Sequence, residues 1–198
     1  MAHPVRPDSF IEISNFYTMT VYEKGAEVVR MLNTLLGDDA FYRGAKLYFE
    51  RFDGMAVTCD DFVDAMQEAS GKDLSQFRRW YEQAGTPIIS VDATFNEASG
   101  QLDMTLTQRN PPTPGQDSKP PLHIPVALSL LVDGKHLDSS SGLPCGQLFK
   151  ELCSQFAVAA LRVDFSQLKL GIDRLGVVSV VAQYRTERAL GCCLVAAQ

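Results

Sequence analysis

A tyrosine near the N-terminus, Tyr22, is the residue of this chain best suited to chemistry. It stands in the run Val21-Tyr22-Glu23-Lys24-Gly25, where a segment with helical periodicity begins. A phenol with a pKa of about 10 stays protonated at neutral pH and can donate a hydrogen bond. Such a donor, aimed at a carbonyl oxygen that becomes an oxyanion, strengthens its contact in the transition state. From the residue type alone, an ordinary tyrosine on a helix face, with its hydroxyl at the surface, is the more common explanation.

The histidines of this chain do not form a zinc-binding motif. The chain has three, His3, His123 and His136, and none has a second histidine four residues away. The helical motif of zinc peptidases uses two histidines at that spacing, with a glutamate beside the first. His123 falls in a predicted strand, where a cross-strand packing role is expected. We therefore predict that this sequence contains no metal site of its own.

The composition is that of an ordinary soluble globular protein. The chain has 198 residues, of which 45% are hydrophobic and 21% are charged. The net charge of −6 argues against a nucleic-acid partner, because phosphate binding needs a basic face. No apolar run reaches about 18 residues, so no membrane-spanning helix is expected. The five cysteines are irregularly spaced, which favours a reducing, cytoplasmic location over a disulfide framework.

The elements that would position Tyr22 are helical up to about residue 86. Apolar side chains recur with a helical period, and glycines stand where each helix is expected to end. Thr58 with Asp61 resembles a capping box, Asp38 or Asp39 can cap the second helix, and Asp73 can cap the fourth. The four predicted helices cover about residues 21–36, 38–54, 58–71 and 73–85.

After Pro87 the apolar period changes to two, which predicts strands at about 89–95, 102–106 and 122–130. Successive strands without helices favour an antiparallel sandwich, with the domain boundary near Pro87. Pro125 places the third strand at a sheet edge or a bulge. Residues 109–117 are rich in proline and predict a stiff exposed loop. Beyond about 138 the pattern weakens: residues 147–163 fit either helix or strand, and residues 177–181 have the composition of a strand.

Several segments in a fixed order carry a resemblance to a known family. They are His3-Pro4-Val5-Arg6-Pro7, Asn15-Phe16-Tyr17 through Met31, Tyr48-Phe49-Glu50-Arg51, Thr58-Cys59-Asp60-Asp61-Phe62, Phe77-Arg78-Arg79-Trp80-Tyr81, Ala84-Gly85-Thr86-Pro87 and Pro121-Leu122-His123-Ile124-Pro125. Over residues 3 to about 134 the chain resembles the zinc aminopeptidases of the aminopeptidase N type, in their bacterial alanyl aminopeptidase form.

The resemblance implies a role for two tyrosines. In the family, the tyrosine that corresponds to Tyr22 hydrogen-bonds the tetrahedral intermediate opposite zinc, so Tyr22 is the expected catalytic residue. The aromatic residue that corresponds to Tyr17 lines the pocket for the first side chain of the substrate. The family's zinc-binding helix, glutamate base and α-amine motif lie N-terminal to this region and would precede Met1. The resemblance thus implies zinc as the cofactor of the full-length enzyme, with none bound by this chain.

The expected fold is an α+β multidomain fragment. Residues 1–86 are expected to form the C-terminal helical part, or rear lobe, of a thermolysin-like catalytic domain. Residues 87–137 would begin an Ig-like antiparallel β-sandwich. The tail, 138–198, fits either divergent sandwich strands or frameshifted sequence.

Three functional hypotheses remain open. In the first, the chain is part of an aminopeptidase that removes N-terminal residues from peptides with a free N-terminus, and its partner is the missing N-terminal zinc-bearing segment. In the second, it is an inactive truncated product that acts as a structural or interaction module. In the third, a separate chain supplies the zinc half and the two assemble.

Overall fold

The structure is a computed structural model, and it describes residues 3–96, 98–99, 101–132, 135–136, 148–152, 158–164, 179–186 and 189–196. The chain forms two compact units, one of Met1–Pro87 with Asn110–His123 and one of Ile88–Arg109 with Ile124–Gln198. This division differs from the contiguous domains expected from the sequence, because it groups Asn110–His123 with the helices.

The first unit is helical. A short 3₁₀ helix, Ile13–Phe16, and a π-helical turn, Thr20–Lys24, precede the longer elements. The α-helices are α1 (Gly25–Leu36), α2 (Asp38–Phe52), α3 (Cys59–Ser70) and the single turn α4 (Arg79–Glu82). The first three confirm the helices predicted from the apolar period, except that the predicted first helix begins with a π-helical turn.

The caps of these helices match the sequence in part. Thr58 and Asp61 form the predicted capping box at the start of α3, with each side chain accepting the other's backbone N–H. Neither Asp38 nor Asp39 caps α2: both lie in its first turn, where a carboxylate complements the helix dipole. Gly37 precedes them with φ +81°, a conformation that suits glycine.

The fourth predicted helix is much shorter than expected. The side chain of Asp73 accepts the N–H of Ser75 at 2.9 Å, and the Gln67 side chain accepts the N–H of Leu74 at 3.0 Å. These bonds hold the chain in a turn over residues 75–78, and regular helix is confined to Arg79–Glu82. The predicted length was wrong because the backbone N–H groups of Arg79, Trp80 and Tyr81 bond to carbonyls three residues back, as in a 3₁₀ turn, and not four residues back.

The helices pack around one apolar core. Its members are Val5, Val28, Leu32, Leu35, Val63, Ala65, Met66, Leu74, Phe77, Trp80, Tyr81, Ala84 and Leu122. Gly44 is the buried residue of α2, and it allows α2 to approach α3 closely. A Cβ at this position would lie 2.5 Å from Met66 Sδ and 3.1 Å from Met66 Cα.

Segment Asn110–His123 is bound to the helical unit by side chain to backbone hydrogen bonds. The Gln116 amide accepts the N–H of Ala84 and donates to the carbonyl of Glu82, both at 2.8 Å. Lys119 Nζ donates to the carbonyl of Ala84 at 2.8 Å, and the Trp80 indole donates to the carbonyl of His123 at 2.8 Å. The segment, which overlaps the predicted stiff exposed loop of residues 109–117, is therefore held in place by these contacts.

His123 was predicted to pack across strands, and that prediction was wrong. It lies one residue before the strand that begins at Ile124, with 2% of its surface exposed. Its ring stands edge-on to Phe77, with the centroids 6.3 Å apart.

The second unit is antiparallel. One sheet has the order β1 (Ile88–Asn96), β2 (Gln101–Arg109), β6 (Val158–Asp164). The other has the order β4 (Lys135–His136), β3 (Ile124–Val132), β7 (Ser179–Thr186), β8 (Ala189–Ala196), with β5 (Leu148–Leu152) also on β3. In β2 the apolar residues Leu102, Met104 and Leu106 are buried and alternate with more exposed neighbours, as predicted.

Four described strands, β5 to β8, lie in the stretch 138–198. β5 and most of β6 fall within residues 147–163, which the sequence left open between helix and strand, and β7 overlaps residues 177–181, which have strand composition. The remaining residues of that stretch lie outside the described part of the chain. Pro125 pairs with Glu151 of β5, and β7 joins β3 only from Ala127, so the proline's other side lies at a sheet edge among the described strands. Among the described residues, no helix combines the length and apolarity needed to span a bilayer.

Candidate functional site

Tyr22 occupies the middle of the π-helical turn, Thr20–Lys24, that leads into α1. Its N–H donates to the carbonyl of Thr18 at 3.1 Å, and its carbonyl accepts the N–H of Gly25. The side chain is 59% exposed. π-helical turns, whose hydrogen bonds join residues five apart, are rare in proteins, but those that occur often lie at functional sites. The phenol is thus presented to the surface from a backbone that is itself hydrogen-bonded.

Tyr17 lies beside Tyr22 and is equally exposed, at 59%. The two rings are stacked, with centroids 6.2 Å apart and planes at 21°. Tyr17 also makes an edge contact with Phe16, with ring centroids 6.0 Å apart. The structure therefore brings together the two residues that the sequence singled out.

The two tyrosines belong to a short stretch of chain that is rich in exposed apolar side chains. Six of the eleven exposed large hydrophobic side chains in the described part of the chain lie within residues 10–22. Their concentration in one short stretch is typical of a surface that meets another protein segment or a ligand. We call this surface the Tyr22 face, and it consists of Phe10, Ile11, Ile13, Tyr17, Met19 and Tyr22.

Lys24 links the π-helical turn to backbone carbonyls near the end of α4. Its Nζ donates to the carbonyl of Gly85 at 2.8 Å and to that of Gln83 at 3.4 Å. The lysine of the Tyr-Glu-Lys-Gly run therefore ties the turn to the chain near Gly85. Gly25 leaves room for a side chain, because a Cβ there would lie 3.5 Å from Val5 Cγ1, an ordinary contact.

Two residues that the sequence did not single out individually meet at the start of the turn. His3 Nε2 lies 3.0 Å from Thr18 Oγ1, and the same hydroxyl oxygen accepts the N–H of Val21 at 3.3 Å. His3 Nδ1 lies 2.7 Å from the carbonyl oxygen of Pro4. His3 stood in a segment that carried the family resemblance, but its partner is fifteen residues away and no local pattern indicates the contact.

An ion-pair network fixes the segment that carries His3. Arg6 Nη1 lies 2.6 Å from Asp60 Oδ2, and Arg78 Nη1 lies 2.8 Å from Asp60 Oδ1. Burial raises the pKa of Asp60, but the hydrogen bonds from the two guanidinium groups more than offset it and hold the pKa below its ordinary value. The N–H of Arg6 also donates to the carbonyl of Tyr81 at 3.0 Å. These bonds attach the N-terminal segment that contains His3 and Arg6 to α3 and α4.

The described residues do not fit a catalytic zinc ion. No three histidine, cysteine, aspartate or glutamate side chains come together among them as metal ligands require. His3 is engaged with Thr18, and His123 is buried against Phe77. Burial raises the pKa of the Cys59 thiol, which disfavours the thiolate that a metal would need. We derive no metal chemistry from these side chains.

Comparison with protein families divides the chain in two. Residues 1–81 match the peptidase family M1 domain. Residues 85–167 match a domain of unknown function, DUF3458, which has an Ig-like fold. Helices followed by antiparallel strands of an Ig-like domain are the fold class that the sequence predicted, and that prediction is confirmed.

Individual relatives agree with these matches. Aminopeptidase N of Escherichia coli is 61% identical over 130 residues, which are 66% of this chain and 15% of that protein. Aminopeptidase N of Haemophilus influenzae is 52% identical over 130 residues, with the same coverage of each chain. This chain thus spans about 15% of the length of these relatives.

A solved aminopeptidase structure also matches this chain. The crystal structure of Legionella pneumophila aminopeptidase A in complex with aspartic acid matches with a TM-score of 0.65 and 26% identity. The match covers 82% of this chain and 17% of that one. With its M1 peptidase segment, its Ig-like segment and these relatives, the chain belongs to the M1 peptidase family, of the aminopeptidase N type.

Proposed function

We propose that this chain supplies one part of an aminopeptidase active centre, the hydrogen-bond donor that stabilises the oxyanion, while the zinc ligands lie outside the residues described here. The observation that carries the proposal is the exposed phenol of Tyr22, held on a bonded π-helical turn within the M1 peptidase segment. The substrate class is a peptide with a free N-terminus, as the names of the relatives indicate.

Tyr22 would act on the scissile carbonyl of the peptide. As water adds to that carbonyl, its oxygen gains negative charge, and the phenol O–H donates a hydrogen bond to it. The bond is stronger in the transition state than in the bound substrate, so it accelerates the reaction. Loss of one such donor typically lowers turnover on the order of 10²–10³-fold.

Tyr17 would contact the first side chain of the substrate. The rings of Tyr17 and Tyr22 are stacked with centroids 6.2 Å apart, so a substrate whose first side chain contacts Tyr17 would have its scissile carbonyl near the phenol of Tyr22. The ring of Phe16 makes an edge contact with that of Tyr17. Exposed aromatic surface of this kind gives large apolar contact with few rotatable bonds.

The Tyr22 face supports a further part of the proposal. Exposed apolar side chains are unfavourable in water, and the free energy falls when another protein segment covers them. We propose that the metal-bearing part of the catalytic domain packs on this face, so that metal and phenol flank one carbonyl. The chain alone would then have no peptidase activity. A cytoplasmic location remains a prediction from the cysteine content.

A segment exchange tests the proposal. In aminopeptidase N of Escherichia coli, the matching 130 residues would be replaced by those of this chain, and hydrolysis of an aminoacyl reporter substrate would be measured. We expect the exchanged protein to be active and the isolated chain, supplied with zinc, to be inactive.

Two outcomes would contradict the proposal. Activity of the isolated chain with zinc would show that the metal site lies within it. A folded but inactive exchanged protein would favour the alternative, a non-enzymatic product that serves as a structural or interaction module with Tyr22 as a surface residue. Circular dichroism and thermal unfolding of the exchanged protein would establish that it is folded.

A further inference from the structure

The turn that carries Tyr22 depends on one hydroxyl group. Thr18 Oγ1 accepts the N–H of Val21 at 3.3 Å, and the carbonyl of the same threonine accepts the N–H of Tyr22 at 3.1 Å. The first bond satisfies an N–H of the first turn, which has no partner within the helix itself, and the second is the first backbone bond of the helix. Thr18 therefore caps the turn with its side chain and its backbone at once.

His3 orients that hydroxyl. A carbonyl oxygen can only accept, so the 2.7 Å contact with Pro4 O places a hydrogen on His3 Nδ1. In the neutral ring Nε2 then accepts, and the Thr18 hydroxyl donates to it at 3.0 Å. With its hydrogen directed at the imidazole, the hydroxyl oxygen presents its lone pairs to the N–H of Val21. The chain of bonds runs from Pro4 through His3 and Thr18 into the turn.

The residues that follow His3 and Pro4 are held firmly in the helical unit. The side chain of Val5 is buried, and Arg6 is held by Asp60 and by the carbonyl of Tyr81. His3 is thus attached to a segment that packs on the core of the helical unit. The Tyr22 ring, by contrast, is mostly exposed and stacks on an equally exposed Tyr17. Its direction must therefore come largely from the backbone of the turn.

We propose that His3 and Thr18 are positioning residues for Tyr22: neither touches the substrate, and together they hold the turn so that the phenol points at the reacting carbonyl. This inference rests on the proposed function of Tyr22. A misplacement of about 1 Å at a catalytic group can lower turnover on the order of 10²-fold, so a capping bond far from the chemistry has a large effect.

The first test uses the full chain and does not require activity. Thr18→Val keeps the shape of the side chain and removes the hydroxyl, whereas Thr18→Ser keeps the hydroxyl. Amide hydrogen exchange at Val21 and Tyr22 would be compared with exchange at Leu32 in the core. We expect Thr18→Val and His3→Ala to speed exchange at the first two amides by about 3- to 10-fold, which corresponds to the loss of one hydrogen bond.

Matched controls separate this effect from a general loss of stability. Thr34→Val makes the same substitution at an exposed threonine of α1, whose hydroxyl donates to the carbonyl of Arg30, and it should leave both amides unchanged. Thr18→Ser, which keeps the hydroxyl, should protect the amides of Val21 and Tyr22 as well as the parent chain does. Nuclear Overhauser contacts between the rings of Tyr17 and Tyr22 should be weaker in Thr18→Val than in the parent chain and unchanged in Thr18→Ser. Unchanged protection and ring contacts in both Thr18→Val and His3→Ala would overturn the inference.

The second test uses the segment-exchanged enzyme. Thr18→Val should lower kcat by about 10-fold with little change in KM, and it should have no further effect once Tyr22 is phenylalanine. If Tyr22→Phe itself leaves kcat intact, the proposed function fails. If Tyr22→Phe lowers kcat and Thr18→Val does not, the positioning role alone fails.

Discussion

At the scale of the residue, Tyr22 combines an exposed phenol with a hydrogen-bonded backbone. Its N–H donates to the carbonyl of Thr18, its carbonyl accepts the N–H of Gly25, and its ring stacks on that of Tyr17. The charged groups that fix the turn lie elsewhere: Lys24 on the carbonyl of Gly85, and Arg6 on Asp60. Ionic anchoring and the proposed chemistry are therefore carried by different side chains, and each can be changed separately.

Asp60 predicts how stability depends on pH. The pKa of this carboxyl is lower in the folded chain than its ordinary value of about 4, because Arg6 and Arg78 bond to it. It therefore contributes stability above that ordinary pKa, and the contribution is lost as the pH falls through the folded-state value. We expect Asp60→Asn to unfold in less urea than the parent at pH 7, with the difference shrinking towards pH 3.

The control for this prediction is Asp8→Asn at an exposed aspartate in the same N-terminal region. It should leave the urea midpoint close to that of the parent at both pH values. A difference between Asp60→Asn and the parent that persists unchanged at pH 3 would show that the carboxylate does not stabilise the fold through its charge.

The sequence predicted part of the candidate site. Tyr22 and Tyr17 were identified through the family resemblance, and the structure places them side by side. The contact of His3 with Thr18 was not predicted, because it joins residues that are distant in the chain and depends on how the N-terminal segment folds back. The anchoring role of Lys24 was missed for the same reason, since its carbonyl partners lie about sixty residues away.

At the scale of the element, apolar period and end signals predicted α1, α2 and α3 well. They failed before α4, where Arg79, Trp80 and Tyr81 bond to carbonyls three residues back and not four. They also could not distinguish the π-helical turn at Thr20–Lys24 from regular helix, because apolar spacing over five residues does not resolve one extra residue per turn. Residues 147–163 lacked a clear alternation, so the sequence left them open between helix and strand.

Two glycines in helices give opposite predictions. Gly44 faces Met66 so closely that a Cβ would lie 3.1 Å from its Cα, which a side-chain rotation cannot relieve. We expect Gly44→Ala to lower the free energy of unfolding by about 1–3 kcal/mol through overpacking of α2 on α3.

Gly25→Ala is the matched substitution without crowding, since a Cβ there meets Val5 Cγ1 at 3.5 Å. It should leave stability unchanged or raise it by up to about 1 kcal/mol, because alanine favours the helix. Urea unfolding of both variants measures the contrast. Equal effects of the two substitutions would contradict the proposed close approach of α2 and α3.

At the scale of the whole molecule, the chain order does not follow the compact units. The chain leaves the helical unit at Pro87, forms β1 and β2, and returns through Asn110–His123 before β3 begins. This return was not predictable, because it depends on polar side chains such as Gln116 and Lys119 that bond to distant backbone groups. A proline-rich polar segment has the composition of a free loop whether or not such bonds form.

Gln116 provides the test of this return. Gln116→Ala removes the acceptor for the N–H of Ala84, a buried residue, and the donor to the carbonyl of Glu82. We expect a loss of about 1–3 kcal/mol in the free energy of unfolding and faster proteolytic cleavage within residues 110–123. Asp117→Ala, at the exposed next residue, is the control and should change neither. Equal cleavage of the two variants would show that the segment is not held by Gln116.

The measurement that bears most directly on function is the turnover number of the segment-exchanged aminopeptidase with Tyr22→Phe. Tyr42→Phe is the matched control, because Tyr42 is also an exposed tyrosine on a helical element, α2. If the phenol stabilises the oxyanion, Tyr22→Phe lowers kcat on the order of 10²–10³-fold and Tyr42→Phe does not, while both unfold at the parent's temperature. A kcat for Tyr22→Phe within about threefold of the parent would contradict the role of Tyr22.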